Sequence, residues 1–177
     1  NSTYSNQGTS FDSALLDAFI QLQLGQIRSA LVGGHDEMTP DYFNMLSKIN
    51  YWRKEDVNVD VMRKCDKEIN SFSGSCSLSM LVGTDHTENT LCRLADIELF
   101  HSPMPSQIRD SLFKMLHANK LTLSDVDAVV ASYSGNPNVD RYVGHYLTQA
   151  MSEFPVIWYK HLFGESFCSS AFGIYVA

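Results

Sequence analysis

The alternation of segments beyond Pro105 constrains the fold more than any other feature of the chain. "SQIRDSLFKMLHANKL" places Ile108, Leu112, Met115 and Leu116 on one helical face, with Ser106 as its cap after the breaks at Pro103 and Pro105. "TLSDVDAVVASYSGNP" follows, with a cap-like Ser124, a hydrophobic strand through Val126, Ala128, Val129 and Val130, and a turn. "VDRYVGHYLTQAMSEF" reads as a second helix, and "VIWYKHLFGES" as a second strand running into a glycine turn. Helix, strand, helix, strand in that order calls for a parallel or mixed sheet covered by helices, an α/β architecture. With 177 residues and 44% hydrophobic content, there is enough apolar material for a packed core.

The first part of the chain opens on a different pattern, "YSNQGTSFDSALLDAFIQLQLGQIRSALVGG". Thr9 or Ser10 caps a helix with Asp12 in its first turn, where the helix dipole favours an anion. Ala14, Leu15, Ala18, Phe19 and Leu22 recur at helical spacing, and Gly25 stands where a glycine ends a helix. Ser29 to Val32 then reads as a short buried strand that finishes at Gly33-Gly34. A turn, a helix and a strand in this order make the elbow on which enzymes present nucleophiles, yet the turn carries only Ser5, Asn6, Gln7 and Gly8. Residues 36–70, charged and aromatic, read as a helical or irregular excursion over the surface. "SFSGSCSLSMLVG" supplies a strand entered through a Gly-Ser turn, and Leu91 to Phe100 is expected to be another.

Charge and cysteine content narrow the function classes. A net charge of −7 argues against nucleic acid as a partner. No apolar stretch approaches the length of a membrane span, and the polar Asn1 to Ser10 lacks the pattern of a signal peptide. Cys65, Cys76, Cys92 and Cys168 are scattered and the six histidines do not cluster, so neither a metal site nor a disulfide framework is expected. Four free thiols suit a cytoplasmic location.

Three stretches, "ALVGG" behind the elbow helix, "VDAVVASYSGNP" and "YKHLFGE", resemble in order and spacing the β-ketoacyl synthase (ketosynthase) family of the thiolase superfamily. The resemblance runs from Tyr4 to Ala177, with "SGSCSLSMLVG" matching the family's glycine-rich strand. In that family a nucleophilic Cys lies in the turn before the helix, one His follows a later strand, and another closes a Lys-x-x-x-Gly-His motif. Carried across residue by residue, Gly8 stands at the Cys position, and a one-residue slip puts Gln7 there, as in the chain-length factors that pair with active ketosynthases. Ala131 and Pro137 keep the frame of the second motif, and Ser132 replaces its His. Lys160 and Gly164 match the third, and Glu165 replaces its His.

Those replacements remove the family chemistry. Condensation needs a thiolate to carry the acyl chain and imidazoles to stabilise the carbanion and oxyanion that develop. Gly8 and Gln7 are not nucleophiles, Ser132 lacks an imidazole's basicity, and an anionic Glu165 would repel developing negative charge. The resemblance therefore implies a non-catalytic, chain-length-factor-like subunit, with Gln7, Gly8, Ser132, Lys160 and Glu165 as remnants of an acyl site. It implies no cofactor. Its partner would be an active β-ketoacyl synthase or a second copy, with acyl carrier protein reached through that partner. It also implies a thiolase-like fold that is incomplete. Residues 1–101 would be the end of the first thiolase-like half and 102–177 the start of the second.

Plainer readings stand beside these. Gly8 fits a turn that needs a permissive backbone, Lys160 and Glu165 a structural ion pair, Cys168 a small buried filler, and Gly33-Gly34 close packing. Against the pseudo-enzyme stands a repurposed thioester hydrolase or acyltransferase using Ser132 or Cys168. Hydrolytic pairs such as Ser132–His161 or Ser134–His145 lack any G-x-S-x-G elbow to support them.

Overall fold

The computed structural model describes residues 2–52, 71–101, 104–136, 140 and 154–177. A single 3-10 turn, Gln7–Thr9, leads into helix α1, Ser10–Gln23. Phe11, Leu15 and Ala18 lie one helical turn apart, and all three are buried. The helix stops as its glycine predicts. Gly25 takes φ 67°, its N–H donates to the Leu22 carbonyl, and the Gln26 N–H donates to that of Gln21. These are the two reverse bonds that satisfy carbonyls left over at a helix end.

Strand β1, Ser29–Asp36, pairs antiparallel with β2, Cys76–Gly83. Contrary to expectation, β1 does not end at Gly33-Gly34; the ladder continues through Gly34↔Leu78 to Asp36↔Cys76. Nor is it buried on both faces. Val32 points inward and is buried, while Leu31 and its partner Leu81 are 75% and 76% exposed. The excursion after β1 contains helix α2, Pro40–Lys48, with Thr39 as cap and Pro40 in the first turn. It is not wholly a surface feature, since Trp52 is buried against Tyr51 and Phe43. Residues 53–70 of that excursion lie outside the described residues.

Leu91 to Phe100 is not a strand; the backbone there is irregular, and Leu91 is 92% exposed. Of this stretch, Ile97 reaches the core, and Glu98 accepts a hydrogen bond from Ser111. Helix α3, Pro105–Ala118, follows. Ser106 does not cap it: Pro105 occupies the first turn, and the Gln107 side chain accepts from the Met104 N–H at 2.7 Å. Ser124 is likewise no cap, because it lies inside a 3-10 turn, Leu123–Asp125, that Thr122 and Asp125 close.

Strands β3, Val129–Ala131, and β4, Val156–Trp158, pair in parallel, as the alternation requires. The helix expected between them falls almost entirely outside the described residues. "VIWYKHLFGES" is only partly strand: after Trp158 it becomes a one-turn helix α4, Lys160–Phe163, ended by Gly164 at φ 79°. Helix α5, Ser170–Val176, then packs on α1 and on β3.

The helices α1 and α5 thus form a layer between the two sheets, with α1 against β1 and α5 against β3. The core gathers Phe11, Leu15, Ala18, Val32 and Ala171, extended by Leu78, Met80, Val82 and Ile174. Burying Phe11 or Leu15 in such a layer stabilises by about 1.5–3 kcal/mol each.

Candidate functional site

The elbow is held by its own hydroxyls. Ser10 Oγ donates to the Gln7 carbonyl at 2.7 Å and accepts from the Asn6 N–H at 2.8 Å. Asn6 Nδ2 reaches Ser13 Oγ at 3.0 Å, and Ser13 Oγ donates back to the Thr9 carbonyl. This knot keeps Gln7 in the left-handed region, at φ 52°. That conformation costs an ordinary L-residue about 1–2 kcal/mol. Gly8 beside it has no positive φ, so the expectation that glycine serves a permissive backbone here is corrected: the strained position is Gln7. A Cβ on Gly8 would meet nothing within 4 Å.

Gln7 and Phe11 face a cavity of about 710 Å³, whose other walls include Gly33, Gly34 and His35 of β1 and the pair Phe167-Cys168. Gly34 is there because Cys168 is. A Cβ on Gly34 would lie 2.9 Å from both Cβ and Sγ of Cys168, so only a hydrogen fits. Burial, with the charges of Asp36 and Asp12 adding, raises the pKa of the Cys168 thiol. A thiol so placed is mostly protonated at neutral pH, which makes it a slow nucleophile.

The second cluster surrounds Tyr159 and Lys160. Lys160, 9% exposed, donates from Nζ to both oxygens of Glu165, at 2.9 and 2.7 Å. Glu165 is fixed through its backbone: its N–H donates to Phe72, and its carbonyl accepts from Gly74. Gly74 and Gly164 make that docking possible, since a Cβ on Gly74 would fall 2.1 Å from the Phe163 carbonyl oxygen. Asp12, from the first turn of α1, accepts from Ser170 Oγ at 2.9 Å. Burial raises its pKa, and the attraction of Lys160 opposes that rise. Tyr159 is buried; its pKa is raised chiefly by burial, with Glu165 and Asp12 contributing and Ser132 opposing the rise. Tyr51 is pushed up to about 12, by burial first and then by the charges of Glu165 and Tyr42.

Ser132, Lys160 and Glu165 therefore gather around Tyr159, while Gln7 looks onto the cavity walled by Cys168. The Lys160 ammonium is committed to Glu165, with a second carboxylate, Asp12, in electrostatic reach. Ser134 is committed elsewhere: its hydroxyl donates to Asp140, whose carboxylate also accepts from the Ser134 and Gly135 N–H groups. His145 lies outside the described residues. Asp12, Tyr159 and Ser170 were not singled out as site residues from sequence. One signal existed for Asp12, a charged residue adjoining the buried stripe of Phe11, Leu15 and Ala18. Among the described residues there is no cluster that could hold a metal ion and no helix long and apolar enough to cross a membrane.

No protein-family model matches the sequence, and no curated protein matches it. Solved structures do. A β-ketoacyl synthase from Burkholderia phymatum superposes with a TM-score of 0.71 at 14% identity, over 97% of this chain and 46% of that one. A chain from the complex of a type II PKS acyl-carrier protein with its ketosynthase bound to the hexaketide gives 0.73 at 12% identity, covering 99% and 48%. The ishigamide ketosynthase/chain length factor gives 0.66 at 16% identity, covering 98% and 44%. This chain has the thiolase-like fold of the ketosynthases, and it spans less than half the length of the structures it matches.

Proposed function

We propose that the chain is a ketosynthase-like subunit without condensing activity of its own. It pairs with an active β-ketoacyl synthase, in the manner of a chain-length factor, in polyketide or fatty-acid-type biosynthesis. The observation that carries this reading is the strained elbow: left-handed backbone is kept at the entrance to α1, and a glutamine occupies it. Strain at such a turn persists only where the surroundings enforce it, as the Ser10, Asn6 and Ser13 network does. Gln7 then corresponds to the family's nucleophile position, with Gly8 beside it, and Ser132 and Glu165 stand for the two histidines. Lys160 corresponds to the family lysine, neutralised here by Glu165.

On this reading residues 1–101 belong to the first thiolase-like half and 102–177 to the second, each contributing one of the two sheets. Acyl carrier protein is reached through the partner, since a net charge of −7 does not favour docking an acidic carrier directly. Co-expression with a ketosynthase from the same source should give a stable complex whose condensation needs both chains. Intact mass after incubation with an activated acyl donor should show acylation of the partner alone. Full condensation by the ketosynthase without this chain, and no complex, would refute the proposal.

A repurposed acyl-thioester hydrolase or acyltransferase is the competing reading, favoured by Cys168 lining the cavity beside Gln7. The raised pKa of that thiol weighs against it. Thioester turnover lost in Cys168→Ala or Ser132→Ala would establish it instead.

A further inference from the structure

Cys76 and Cys168 stand 92 residues apart in sequence and are both buried, on separate elements. Cys76 opens β2, and Cys168 lies in the segment between α4 and α5. Cys76 Sγ donates to the Cys168 carbonyl oxygen at 3.3 Å. Strand register puts them over one sheet face. Cys76 is opposite Asp36 and Leu78 opposite Gly34, so Cys76 and the Gly34 position point the same way, two residues along the ladder. The Cys168 side chain presses on that Gly34 position at 2.9 Å. Cys168 also walls the cavity, which gives a small oxidant a route to its sulfur.

We propose that Cys76 and Cys168 form a redox pair, in which a peroxide closes a disulfide that ties the α4–α5 segment to the β1–β2 sheet. In the first step the minor thiolate form of Cys168 attacks the peroxide: an S–O bond forms, the O–O bond breaks, and the displaced hydroxide takes up the thiol proton, leaving a sulfenic acid and one water. In the second the Cys76 sulfur attacks that sulfenic sulfur: an S–S bond forms, the S–O bond breaks, and the thiol proton leaves with the hydroxyl as a second water. The two sulfurs together give up two electrons per disulfide, which the peroxide accepts; a dithiol reductant returns them. Burial raises the pKa of both thiols, with Asp36 adding to it, so closure is slow at neutral pH and quickens as the pH rises. The bond would fix the segment that bears Glu165, three residues before Cys168, and so hold the Lys160 pair closed.

The test is hydrogen peroxide on the full chain under native conditions, followed by alkylation, digestion and mass mapping. A Cys92→Ser background removes the exposed thiol. The expected product is a Cys76–Cys168 linked peptide pair in a chain lighter by about 2 Da, restored by a dithiol and absent in Cys76→Ser. In that variant, Cys168 should instead carry oxygen. Mapping on the chain that retains both cysteines stands whether or not Cys76→Ser folds. A disulfide to Cys65, or Cys76 still fully alkylated when Cys168 is oxidised, would overturn the proposal.

Discussion

The two ends of the candidate site keep their shape by opposite means. At the elbow, exposed hydroxyls and main chain hold one strained residue facing a cavity, and the neighbouring position, Gly8, is open space. At the Lys160 end, glycine-to-backbone contacts press a charged pair largely out of solvent. The surroundings differ accordingly. A Cβ on Gly8 would meet nothing within 4 Å. Glu165 is held against the Lys160 ammonium at 2.7 Å, largely out of solvent.

The largest effect should come from the scaffold the two ends share. Phe11 is 1% exposed and sits in the core directly after the elbow. Phe11→Ala should cost about 3–5 kcal/mol by chemical denaturation, from lost burial plus the cavity it leaves. A loss under 1 kcal/mol would mean that the α1 layer is not the core that holds both ends together.

Next comes the pair itself. Lys160→Ala leaves Glu165 largely buried without its counter-charge, removes the attraction felt by Asp12, and should cost about 3 kcal/mol. Lys160→Met with Glu165→Leu should cost much less, because no charge is stranded. Equal losses in the two variants would show that Lys160 matters for its packing and not for its charge.

How much of this was legible in the sequence follows the same division. The helix from Ser10 to its glycine stop was readable because local spacing and one C-terminal glycine specify it. The parallel pair β3–β4 was readable because alternation leaves few other topologies. What failed depended on distant partners. Gly33-Gly34 looked like a strand end, yet Gly34 is mid-strand because Cys168, far along the chain, needs its missing side chain. Leu91 to Phe100 had the apolar content of a strand, but no described strand pairs with it, and apolar content alone does not make a ladder. At the site, the candidate positions came from motif order, whereas Asp12 and Tyr159 gained their place only through tertiary packing.

Asp12 sharpens the comparison, because it belongs to the elbow helix yet faces Lys160. Its folded pKa is raised from 3.8, mainly by burial, so the folded chain holds that proton more tightly than the unfolded one. Above the folded value the charged carboxylate costs stability; as pH falls through that value the cost is relieved, and below the unfolded value no more is gained. Asp12→Asn keeps an acceptor for Ser170 and should therefore stabilise at neutral pH, by less than the Lys160→Ala loss. The gain should shrink as the pH of the denaturation series approaches 4. A variant less stable than the parent at neutral pH would mean that the Lys160 attraction outweighs burial.

The smallest effect tests which residue carries the strain. Gln7→Gly should gain about 0.5 kcal/mol, the relief of left-handed backbone less the extra freedom glycine brings to the unfolded chain. Gln7→Val should lose about 1 kcal/mol, since a β-branched residue tolerates that region least. Gly8→Ala discriminates between the two neighbours. With no positive φ at Gly8 and no atom near its Cβ, alanine should be neutral or stabilising. A clear loss at Gly8→Ala, with none at Gln7→Val, would move the strained position one residue along. Gly8 would then stand at the family's nucleophile position, and the parallel with a glutamine-bearing chain-length factor would fail, leaving a ketosynthase-like elbow with no side chain at its tip.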